Sequence, residues 1–190
     1  MNMRIRKRNI LLLSLLYLLF SIFCRPLNGS VKAEEYDLKI AMIKHFFDFI
    51  KWPPGNSTSG QFVFGIIGDT PISEQAEKLY KQITIPEKEI SVKTISNADL
   101  ADLAQLKECN VLIIGNIAAE QLKEILSKIE DLPILSISDT DGFAEIGVLI
   151  NLFKIENKVK FEINYSAVKK SGLVFSSKLY KLARLIDYPR

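Results

Sequence analysis

The 190-residue sequence contains one histidine, one tryptophan and two cysteines. A single histidine excludes a histidine-rich metal site, and it leaves His45 as the only imidazole for a Ser–His–Asp arrangement. No G-x-S-x-G turn presents a serine to it. The three glycines of a dinucleotide fingerprint and the Gly-Lys of a phosphate loop are also missing; Gly65-Ile-Ile-Gly68-Asp69 is only a faint likeness. Repeats and low-complexity tracts are absent. With no constellation for catalysis, no metal ligand set and no cofactor motif, the reading is a binding protein and not an enzyme.

Basic charge is scarce once the start of the chain is set aside. MNMRIRKRN carries Arg4, Arg6, Lys7 and Arg8, and Ile10 to Cys24 then runs without a charge. This 15-residue run matches the apolar part of a secretory signal and is shorter than the roughly 20 residues needed to span a bilayer. Val31 and Ala33 are the small residues expected before a cut after Ala33, giving a signal peptide over 1–33 and a single domain over 34–190. An uncleaved membrane anchor, or lipidation at Cys24, is compatible with the same segment. Six of the 25 basic residues lie in 1–33, so residues 34–190 hold 19 against 22 acidic ones, a net charge of −3. That balance gives no electrostatic reason for nucleic-acid binding. Only Cys109 remains in the exported part, so a disulfide within the chain is excluded; it reads as a small buried hydrophobe at a strand start.

What is present is an apolar periodicity that alternates between helix and strand. Glu35 to Lys51 reads as a helix whose apolar arc exceeds half its circumference, and Pro53-Pro54 stops it. In this stretch, HFFDFIKWPPG, Phe46, Phe49, Trp52 and Pro53 read as structural, with His45 as a half-buried packing residue. Strands follow at Phe62 to Ile67, Ile90 to Ile95, Val111 to Ile114 and Pro133 to Ile137. Helices are expected at 71–82, 98–106 and 118–129. The rhythm implies right-handed crossovers, a mainly parallel sheet and helices on both faces. Gly147 to Phe153 and Lys158 to Tyr165 then read as an antiparallel hairpin. A last helix from Ser176-Ser177 is expected to bury Leu179, Leu182, Ala183 and Ile186, with Lys178, Lys181 and Arg184 along its solvated side. The fold class is therefore an α/β three-layer sandwich with a C-terminal antiparallel hairpin.

In an open sheet of this kind ligands sit beyond the carboxyl ends of the strands. That places a candidate small-molecule pocket at Asp69, Asn116, Asp139 and Asp141. The two last carboxylates also suit an ordinary Asp-Gly turn, and they lack the oxygen ligands of a calcium loop.

Six stretches in fixed order carry a resemblance over Tyr36 to Ile186. They are FxxFxxWP at Phe46, Phe49, Trp52 and Pro53, then FVFGIIGD, CNVLII, PILSISDTDGFAEIGVLINLF, KVKFEIN and SGLVFSSKLYKLAR. The chain resembles the YfiR-like periplasmic regulators. The resemblance implies repression of an inner-membrane diguanylate cyclase through its periplasmic domain, control of cyclic-di-GMP signalling, and release by an outer-membrane lipoprotein partner. It also implies a partner surface near the hairpin, at Ile150, Glu162 and Val168. Glu162 is expected on the polar face of an edge strand; the alternative is that Ile150 and Val168 are core. An apolar first helix suits a homodimer as well as a partner. The chain departs from members with disulfides: Gly65 stands where a partner for Cys109 would be, and neither Ala144 nor Asn151 is a cysteine. Ile146, before Gly147, stands where the family often has a second glycine.

Overall fold

The computed structural model describes residues 28–54, 60–74, 83, 85, 88–96, 103–156 and 158–187. The chain separates into two units, Met1–Glu35 and Tyr36–Arg190. Of the first, only the start of a helix is described. Residues 1–27 of the expected signal, Cys24 among them, lie outside the described residues, as do most of the helices expected at 71–82 and 98–106; the expected cut after Ala33 falls within a described helix that begins at Asn28.

Helix α1 spans Asn28–Phe46 and is followed by β1 (Ile50–Lys51). It ends a turn earlier than the apolar period suggests. Amides 47, 48 and 49 bond back to the carbonyls of residues 44, 45 and 46, a tighter turn that swings Ile50 into a strand. Next come β2 (Gln61–Ile67), α2 (Pro71–Glu74), β3 (Glu89–Ile95), α3 (Leu103–Lys107) and β4 (Val111–Ile114). They are followed by α4 (Ala119–Ile129), β5 (Leu135–Ser138), α5 (Phe143–Ile146), β6 (Ile150–Ile155) and β7 (Lys158–Asn164). The chain closes with α6 (Tyr165–Ser171), β8 (Val174–Phe175), α7 (Ser177–Leu182) and β9 (Arg184–Ile186).

Seven strands form one sheet in the order β3-β2-β4-β5-β6-β7-β9, and β1 pairs with β8 in a small second sheet. All neighbours in the large sheet are parallel except the β6–β7 hairpin. The expected mainly parallel sandwich with an antiparallel hairpin is what the chain forms. Two apolar layers cover the two faces. Ile40, Ile43 and Phe46 of α1, Val168 of α6 and Leu179 of α7 pack with Phe64, Val111, Ile137, Ile150, Phe161 and Ile163. Leu106 of α3, Leu122 and Ile125 of α4 and Phe143 of α5 pack with Ile67, Ile95, Leu112 and Ile114. Central strands β4 and β5 are buried throughout, because parallel strands are covered on both faces.

The end of the chain departs from expectation. Ser176 caps α7 by accepting a hydrogen bond from the Lys178 amide, and Leu179 is buried. The helix stops at Leu182, however, which is 71% exposed, and Arg184–Ile186 joins the sheet beside β7. The helical apolar period there came from a short helix and a strand read as one element.

Candidate functional site

The carboxyl ends of the strands were the first expected site. Strand order reverses between β2 and β4, so the crevice of an open α/β sheet belongs there. The chain closes it with its own backbone. Asp69 and Asn116 form a β-bridge, with the Asn116 amide donating to the Asp69 carbonyl at 3.0 Å. The Gly115 amide donates to Ile67 at 2.8 Å, and a Cβ at Gly115 would lie 2.4 Å from the Asp69 oxygen. The two side chains are exposed on either side of this contact. Asp141 is exposed in the turn before α5. Asp139 has a different role: its carboxylate meets the Lys39 ammonium of α1 at 2.8 Å, with side chains only 9% and 5% exposed. Lys39 also stands 4.5 Å above the Tyr36 ring. An ion pair so enclosed costs desolvation on both sides and is sensitive to loss of either member. The four residues thus divide into a backbone bridge, a clamp on α1 and an exposed turn, and they line neither of the concavities described below.

Glu162, Ile150 and Val168 were expected near a docking edge. All three are buried, at 2%, 0% and 2% exposure. At Glu162 to Asn164 strand β7 is not the edge, since β9 lies outside it there, and the helices cover both faces of this inner half. Glu162 therefore sits inside, on the face opposite Phe161 and Ile163. A row of polar side chains crosses four strands in register here: Ser138, Asn151, Glu162 and Arg184. One Glu162 oxygen accepts from the Arg184 guanidinium, and the other lies 3.5 Å from Asn151 Nδ2. Arg184 in turn stacks over Phe153, 4.5 Å from its ring centre. The Asn151 side-chain oxygen is buried without a partner. Sequence alternation alone missed this row, because the solvated-face reading of Lys158 and Lys160 was extended two residues too far.

At the end of α1, Phe46 lies 5.0 Å from Phe161 across the sheet face. Trp52 stacks on Phe47 at 5.7 Å, meets Phe62 edge-on at 5.2 Å and donates Nε1–H to the Asn110 carbonyl at 3.4 Å. Phe49 and Pro53 are half-buried beside them. His45 is not half-buried: its side chain is 70% exposed, 3.4 Å from Asp48. The surface around it is apolar. Leu38, Met42, Phe49, Phe161, Leu179 and Leu182 are among the residues lining a groove of about 310 Å³ between α1 and α7. A second cleft, of about 340 Å³, lies between α4 and α6 and includes Lys123, Glu130, Glu145, Asn164 and Lys170. There the Glu130 hydrogen bond and charge hold the Lys170 ammonium above its usual range.

Among the described residues no group of three or more His, Cys, Asp or Glu could hold a metal ion. Cys109 is free and buried at the start of β4, where burial pushes its thiol up to about 11. Among the described residues no helix is long and apolar enough to cross a membrane.

Residues 36–184 match the family model described as YfiR/HmsC-like. The chain belongs to the YfiR/HmsC-like family. It is a regulatory, non-catalytic family, periplasmic in general. Among solved structures the chain is similar to an ABC domain in complex with L-Trp from Streptococcus pneumoniae, at 11% identity and a TM-score of 0.51. The likeness covers 69% of this chain and 57% of that one, so the chain spans little over half of that structure. At this identity the likeness is one of fold.

Proposed function

We propose that the chain is a periplasmic regulatory protein that represses an inner-membrane diguanylate cyclase by contact with its periplasmic domain, lowering cyclic-di-GMP. The observation that carries this reading is the family match over residues 36–184, nearly all of the sheet domain. The side-chain chemistry agrees with it. The chain's one histidine is solvated, its described cysteine is inert in the core, and Asp139 and Glu162 are each held by a cation of another element. This arrangement supports a protein that works by presenting a surface. An outer-membrane lipoprotein that withdraws the chain from the cyclase completes the proposal, and export by residues 1–33 puts it in the same compartment.

Deleting the gene should raise cyclic-di-GMP in cells. Re-expression of the exported chain should lower it again, while a version starting at Glu34 and retained in the cytoplasm should not. Equal rescue by both versions, or no response to the deletion, would refute the proposal. A periplasmic small-molecule sensor is the second reading. It is favoured by the cleft between α4 and α6, whose mixed lysines and carboxylates suit a zwitterion. A thermal-shift screen that returns a single strong ligand, abolished by Lys123→Ala, would support it.

A further inference from the structure

The β6–β7 hairpin has two halves with different surroundings. Asn151, Leu152 and Phe161 to Asn164 are buried, whereas Lys154, Ile155, Lys158 and Lys160 are exposed and Val159 is half-buried. The outer half is thus a two-stranded ribbon whose lysines face solvent while Val159 still packs against the core layer. One side of β7 is taken by β6. On the other side β9 runs opposite only Glu162, Ile163 and Asn164. Among the described residues, Lys158 to Phe161 have no strand on that side.

An open strand edge presents unpaired backbone donors and acceptors, which is a template for another extended chain. The position of β9 bounds the open length. Arg184 is tied to the buried Glu162 and to Phe153, so the edge beyond Phe161 is already filled. Charge then selects what the open part will accept. The ribbon carries Lys154, Lys158 and Lys160 against Glu156, on a domain whose net charge over 34–190 is −3. Along β7, Lys158 and Lys160 share one face, and Val159 and Phe161 share the other. A strand laid beside it carries its own side chains in the same alternation. Acidic residues would face the lysines, and apolar residues would continue the surface of Val159 and Phe161.

We propose that the outer edge of β7, from Lys158 to Phe161, is a strand-addition site for an extended segment of a protein partner in which acidic and apolar residues alternate. Backbone hydrogen bonds supply the attachment and the alternate side chains supply the choice of partner. The assignment rests on the reading that the chain works through a protein partner. It does not depend on that partner being a cyclase.

The test uses the chain from Glu34 onward with two capped peptides, one alternating glutamate with valine and one alternating lysine with valine. The acidic peptide should bind and slow hydrogen exchange at the Val159 and Phe161 amides, which point away from β6. The basic peptide should bind about tenfold more weakly. Lys158→Glu with Lys160→Glu, at two exposed positions, should keep the melting temperature and reverse the preference. No added protection at the Val159 and Phe161 amides, or an unchanged preference in the double variant, would overturn the proposal. So would binding of the ribbon to phosphatidylglycerol vesicles that the acidic peptide cannot displace, which would make it a membrane contact. Self-association of a Lys158→Ser, Lys160→Ser variant that binds neither peptide would also overturn it, leaving the lysines as guards of the edge. If the peptide binds but gene deletion leaves cyclic-di-GMP unchanged, the site stands and the cyclase reading fails.

Discussion

At the scale of single residues, burial decides what each ionisable group does. Cys109 is enclosed by the sheet and α3, and a Cβ on Gly65 would lie 2.8 Å from its sulfur. Burial raises the thiol from 9.0 to about 11, with Lys93 lowering it and Glu108 raising it less strongly. The unfolded chain ionises near the ordinary value. Between pH 9 and 11 it loses a proton that the folded chain keeps, so stability is level below pH 9 and falls as pH rises toward 11. Cys109→Ala should remove that decline in alkaline denaturation curves. The native thiol should also resist thiol reagents at neutral pH, because the thiolate is the reactive form. The Glu162 carboxylate is as deeply buried but depends on Arg184, whose side chain is 57% exposed. Arg184→Ala should cost about 2 kcal/mol in urea unfolding, below the usual range for a fully enclosed pair because water reaches the guanidinium. Glu162→Gln in the same chain should recover most of the loss.

Between elements, the ion pair of Lys39 with Asp139 joins α1 to the carboxyl end of β5. Neither residue stands out in the sequence. Lys39 lies within a helix of mixed apolar and charged residues, and Asp139 belongs to a run that also reads as a turn. Asp139→Asn leaves a nearly unsolvated ammonium, and about 3 kcal/mol of stability should be lost. The loss should appear as faster hydrogen exchange in α1 before the sheet opens, since the inner strands keep their own packing. A uniform loss across the whole domain would argue against a local clamp. The strands β2 and β4 were legible because two-sided burial writes nearly continuous apolar runs. The boundary of α1, the short α5 and the strand β9 were not, because each is a few residues long and is set by neighbours distant in sequence. Glu162 shows the same limit for the site: alternation correctly reports two faces of β7, but it cannot report that both are covered.

For the molecule as a whole, the proposed export rests on the charged start and the apolar run from Ile10 to Cys24. Mass spectrometry of protein from cells should find a chain beginning near Glu34; a full-length chain in the cytoplasm would contradict it. Composition and periodicity by themselves determined the α/β class and the mainly parallel sheet with its hairpin. These depend on local patterns and on which residue types exist at all. Tertiary structure alone decided that the crevice between β2 and β4 is closed by Asp69 and Asn116, that Glu162 is an interior anion, and that Lys158 to Phe161 is an open edge. Each of these depends on which segment lies beside which, and on how many residues of a strand its neighbour covers. The physical reason is that burial is a property of pairs of elements, whereas the period of a sequence records only the demands of one.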